Sequence, residues 1–181
     1  MTIIDLHNKY KSAEINYYEA EQLLYNFGRD QRFELFIALY EATLKNNSNV
    51  AYKVFREAYC SSDNIHKQIN NSQFAFELKD FLNSLKKQGF NFYNQMRKSE
   101  KEYYDNLPDN FCIYRGMSEL EKLSSNFGIS WSLSKNEAEK YIYFDKNNVQ
   151  KGGLASKKIN REEVLTIFCV HGIEEVIHLS K

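Results

Sequence analysis

The chain has little of what punctuates or staples a fold: one proline, seven glycines and three cysteines in 181 residues. Cys60, Cys112 and Cys169 are odd in number and widely spaced, which argues against a disulfide framework and for reduced thiols in a cytoplasm. Neither sign of charge is in excess. Lys plus Arg and Asp plus Glu both total 24, so no global field draws the protein to nucleic acid or to a membrane surface. No apolar run approaches the roughly 20 residues of a membrane span. The opening MTIIDLHNKYKSAE lacks the basic start, long apolar stretch and small-residue cleavage site of a secretory signal. A cytoplasmic location is the expectation. His7, His66, His171 and His178 have neither the paired spacing nor the cysteine partners of a zinc site, so no metal is expected. Cys169 and His171 share one face of an expected strand, where a packed cysteine beside a surface histidine is the plainer reading. Gly152-Gly153 after a lysine does not match a phosphate-binding loop and reads as a turn. There is no internal repeat.

What the chain does have is rings. Thirteen Tyr and thirteen Phe bring aromatics to 15%, enough for a core built largely of rings with some left for a binding surface. Through the first hundred residues apolar positions recur every three or four, the period of one helical face. Ile3 to Leu24 reads as one helix, Phe33 to Leu44 as a second, Ala51 to Ala58 as a third, Phe74 to Leu85 as a fourth and Phe92 to Tyr103 as a fifth. After Pro108 the texture changes. FCIYRG (111–116), GISWS (128–132), LASKKI, VLTIFCV and EEVIHL are short and rich in residues that favour strands. Ser134 and Glu137 form a capping box for one helix between them, with Ala138, Tyr141 and Ile142 on its inner face. The expected class is α+β: a helical bundle or cap over residues 1–105, then a compact mixed sheet over 106–181, the two folding as one unit because the second part is small.

Three short stretches carry candidate chemistry. In Tyr114-Arg115-Gly116 the arginine sits on a short apolar strand, where a guanidinium without a partner is costly. It either reaches solvent from an edge, or acts as a fork for a phosphate or carboxylate, with Gly116 letting a ligand approach the backbone. Ser130-Trp131-Ser132 alternates two hydroxyls with the only tryptophan. That pattern fits first a half-exposed strand with the ring in the core, and second one whose serines face a ligand. Glu174-Glu175 precedes Val176-Ile177, and a glutamate opening an apolar strand is commonly solvated.

Taken in order, these stretches resemble the ADP-ribosyltransferases, in the arginine–serine–glutamate branch of cholera-toxin-like and C3-like toxins and small phage and bacterial enzymes. The resemblance covers residues 111–181. It implies a transferase-like sheet and an enzyme that moves ADP-ribose from NAD to a macromolecular acceptor, a protein, with release of nicotinamide. Such an enzyme acts in the cytoplasm of the producing or the target cell. Arg115 then holds the NAD phosphates, Ser130 orders the site, and Glu175 is the catalytic carboxylate beside the ribose cation. Tyr114, Gly116, Trp131, Ser132 and Tyr141 complete the NAD site. Ile173 stands where arginine-modifying members carry Glu and C3-like members carry Gln, so Ile173 and Glu174 would govern acceptor recognition and arginine modification is disfavoured. The resemblance requires Arg115, Ser130 and Glu175 to converge on one cleft.

The same sequence supports a reading from another class: an inactive protein of transferase fold that binds a partner through an aromatic helical surface. A single-stranded nucleic-acid binder using Tyr and Phe as stacking platforms is weakened by the zero net charge.

Overall fold

A computed structural model describes residues 1–11, 13–144, 147–170 and 173–179, with backbone alone at Val170 and Ile173. It divides into two compact units, Met1–Phe90 and Asn91–Lys181.

The first unit is helical: α1 (Ile3–Tyr10), α2 (Tyr17–Tyr25), α3 (Arg32–Ala42), α4 (Ser48–Ser61), α5 (Ile65–Asn71) and α6 (Leu78–Lys87). The single helix expected over residues 3–24 is two helices. Asn16 stops the period: its side chain accepts from the Glu19 N–H and its own backbone N–H donates to the Glu19 carboxylate, a full capping box that starts α2. α3 is the axis of the unit. Phe33, Leu35, Phe36, Ile37, Ala38 and Leu39 are all fully buried, which is the signature of a helix surrounded on every side. Phe36 meets Phe55, Phe76 and Phe81 at ring-centroid distances of 5.6 to 5.8 Å. Phe33, Phe36, Tyr52, Phe55, Phe76 and Phe81 are buried rings of this core, whereas Tyr18 and Tyr25 are exposed.

α3 has no side-chain cap of its own. Gln68 of α5 supplies one from a distance. Its Oε1 accepts from Phe33 N at 2.8 Å and Glu34 N at 3.1 Å, and its Nε2 donates to Arg29 O at 3.1 Å and to Asp63 O. Those two N–H groups would otherwise be unsatisfied at a buried helix start.

The second unit contains α7 (Phe92–Gln95), α8 (Lys98–Asp105), β1 (Asn110–Met117), α9 (Glu119–Ser124), β2 (Ser130–Ser132), α10 (Lys135–Glu139), β3 (Gly153–Asn160), β4 (Thr166–Val170) and β5 (Ile173–Ile177). The sheet has the order β3-β1-β2-β5-β4. A mixed sheet was the expectation; every neighbouring pair is antiparallel. The boundary expected at 105/106 falls at 90/91, because α8 is bound to the sheet. Fully buried Glu100 accepts from Arg97 N at 2.8 Å, closing the start of α8, and from Cys169 N of β4 at 3.1 Å. Arg161 Nη1 adds bonds to the carbonyls of Asp105 and Leu107 at 3.2 and 3.3 Å. One face of the sheet makes a core of Ile113, Trp131, Ile159, Ile167 and Val176, with Leu107 and Val164. Thr166, Ile167 and Phe168 are all fully buried, so β4 is buried on both faces.

The capping box at α10 forms by half. Glu137 N donates to Ser134 Oγ at 3.3 Å, but the Glu137 carboxylate is held by Lys140 Nζ at 2.7 and 2.8 Å.

Candidate functional site

β1, β2 and β5 lie side by side, and their register fixes which side chains share a face. Tyr114 is opposite Ser132, and Ser132 is opposite Glu175. Directly opposed residues of an antiparallel pair point the same way, and neighbours along a strand alternate. Tyr114, Ser132 and Glu175 therefore form one row on one face, with Ser130 two residues along on the same side. β1 runs without a bulge against β3 from Asn110 to Met117, so Arg115 leaves the sheet on the other face. That face carries Trp131, Val176 and Glu174. The structure brings Arg115 close to Ser130 and sets Ser132 beside Glu175, but Arg115 and Glu175 point away from each other.

The arginine is occupied. Its Nε and Nη2 both donate to Glu121 Oε1, at 2.9 and 2.7 Å, and its Nη1 donates to the Ser130 carbonyl at 2.6 Å. Glu121 Oε1 also accepts from Gly128 N at 2.9 Å, and Oε2 accepts from Ser118 N at 3.2 Å. Little of either side chain is exposed, 14% for Arg115 and 22% for Glu121. Burial by itself would raise the Glu121 carboxyl. The Gly128 N–H, the Arg115 guanidinium and the Ser118 N–H together outweigh it and hold the group below the usual carboxylate range. Gly128 must be glycine for this clip to close, since a Cβ there would stand 2.4 Å from Arg115 Nη2.

Gly116 is also a site of close approach, though not to a ligand. A Cβ at Gly116 would meet the Ala138 carbonyl at 2.0 Å, so the chain leaving α10 lies directly over it. Tyr141 falls beyond the end of α10 and is 65% exposed, not on an inner face. Ser132 Oγ accepts from Ser134 N at 3.0 Å, which turns the chain into α10. Trp131 is buried as its pattern suggested, edge-on to Phe127 at 5.7 Å and to His178 at 6.2 Å. Ser130 and Ser132 on either side are half-buried.

No protein-family model, curated protein or solved structure matches the chain. The site must be read from its own geometry.

Glu174 stands opposite Cys169 and is half-buried. Ile173 opens β5 opposite Val170, and its side chain lies outside the described residues. His171, the proposed neighbour of Cys169, lies outside them entirely. Among the described residues no group of three or more His, Cys, Asp or Glu is placed to hold a metal ion, and no helix is long and apolar enough to cross a membrane.

Glu121 was not singled out from the sequence, although a signal for it exists. Ser118-Glu119-Leu120-Glu121 has the capping-box spacing, and both halves of that box form at the start of α9. The same glutamate caps the helix and neutralises the arginine. A second feature lies at the Met117 end of β1. Leu120 and Leu123 of α9 are 78% and 76% exposed, and Tyr141, Tyr143 and Phe144 are exposed on the segment that follows α10. Met117 O accepts from Tyr143 N at 3.4 Å while Ser118 caps α9, so these apolar side chains flank one end of the sheet.

Proposed function

We propose that this chain acts by binding a protein partner and not by transferring ADP-ribose. One observation carries the reading: the Arg115 guanidinium is engaged by Glu121 and the Ser130 carbonyl on the sheet face opposite Glu175. A diphosphate could reach Arg115 only by displacing a carboxylate that the Gly128 and Ser118 N–H groups also hold. An arginine paired in this way holds β1, α9 and the start of β2 together. The binding surface is the apolar end of the sheet formed by Leu120 and Leu123 with Tyr141, Tyr143 and Phe144. Exposed apolar side chains grouped in this way mark contact surfaces more often than single ones do. Replacing Leu120 and Leu123 by Asp tests the surface. Partner capture should be lost while the circular dichroism spectrum and melting temperature stay unchanged, because neither leucine contributes to the core.

A second reading keeps the transferase, with NAD as co-substrate and a protein as acceptor. The observation in its favour is that Ser132 lies opposite Glu175 with Ser130 on the same face, the pairing of hydroxyl and carboxylate that the family resemblance calls for. In that reading the NAD ribose would lie along Tyr114, Ser132 and Glu175, and Arg115 would brace the strands from behind. Nicotinamide release separates the two readings.

A further inference from the structure

Beside α8 the second unit has a pocket of about 620 Å³, inside the range of roughly 300–1,000 Å³ typical of small-molecule sites. Arg115, Ser130, Ser132, Glu174 and Glu175 do not line it. Its apolar surfaces are Tyr103, Leu107, Phe111 and Leu133, and its polar groups include Glu102 and Cys112. Tyr103, Phe111 and Leu133 pack against the core of the sheet, so the walls are fixed before any ligand arrives.

We propose that this pocket binds a small flat organic cation, an aromatic body carrying an amidinium or guanidinium group. The apolar walls and the two rings of Tyr103 and Phe111 suit a planar body and a positive charge. Glu102 supplies the opposing charge. Its contact with Lys98 is long, 3.8 Å, and that lysine is 93% exposed, so the pair is weak and readily exchanged for a ligand. Burial first, and the charge of Glu174 second, push the Tyr103 phenol up, so a second carboxylate acts on this wall. Lys158 is opposite Cys112 in the β1–β3 ladder; its charge would favour an anion, and the test must separate the two.

Cys112 is an exposed thiol in the lining and makes the pocket measurable in the full chain. The rate of Cys112 alkylation by iodoacetamide is followed by peptide mass spectrometry with benzamidine, benzamide or benzoate added at equal concentration. Cys60, which is outside the pocket, is the internal control. Benzamidine should slow Cys112 alkylation severalfold and saturably, benzamide less and benzoate not at all, with Cys60 unaffected. Glu102→Gln, at a 64% exposed side chain where folding is not at stake, should remove the advantage of benzamidine over benzamide. Protection by benzoate, equal protection by all three, parallel slowing at Cys60 or no protection by benzamidine would each overturn the proposal.

Discussion

Arg115 aims two of its N–H donors at a single oxygen of Glu121, at 2.9 and 2.7 Å, and that oxygen accepts a third bond from Gly128. The carboxylate thus closes a loop between the end of β1 and the start of β2. Removing its charge while keeping its shape leaves a poorly paired guanidinium in a largely buried place. Glu121→Gln should lower the unfolding free energy by about 1–3 kcal/mol at neutral pH, the usual cost of a buried group left unsatisfied. Urea denaturation of the two proteins gives the difference.

The same group should set part of the acid limb of stability. A carboxyl depressed in the folded state contributes stability above its unfolded value, about 4.3 for a glutamate. That contribution is lost as pH falls through the folded value. Between pH 6 and pH 3 the wild type should therefore lose more stability than Glu121→Gln. Equal losses would mean that the carboxyl is not depressed.

Gln68 should matter as much as any apolar residue of the first unit. Gln68→Leu fills a similar volume but leaves the N–H groups of Phe33 and Glu34 without their acceptor. A loss of about 1–3 kcal/mol is expected, with earlier hydrogen exchange at those two amides.

The contrast between these residues explains what could be read in advance. All five strands of the sheet were visible as short apolar runs, because a strand needs only a few residues and its neighbours are set by burial. Trp131 was legible for the same reason. Gln68 was not, since it caps a helix more than thirty residues earlier in the chain and no local pattern announces it. Glu100 was hidden for a related reason: its position in an expected helix says nothing about an edge-strand N–H on β4. The candidate triad depended on strand register, and a one-residue difference in alternation moves a side chain to the other face. Order along the sequence could suggest Arg115 and Glu175 as partners, but only the pairing of Tyr114 with Ser132 and of Ser132 with Glu175 decides which way each points.

Gly116 offers a direct check on the packing of the segment after α10. Gly116→Ala would drive a methyl to 2.0 Å from the Ala138 carbonyl, and backbone on one side cannot yield as a flexible side chain can. A destabilisation of about 1–3 kcal/mol is expected from overpacking, read as a lower melting temperature. An unchanged value would mean that the segment is not seated there.

Nicotinamide release from labelled NAD by the purified chain is the most direct test of the proposed function, run for the wild type and for Glu175→Gln in parallel. With Arg115 committed to Glu121 and facing away from Glu175, the expected result is no release above buffer for either protein. Release that saturates with NAD and falls by roughly two to three orders of magnitude in Glu175→Gln, the scale of one well-placed electrostatic group, would contradict the binding role and establish the carboxylate as catalytic.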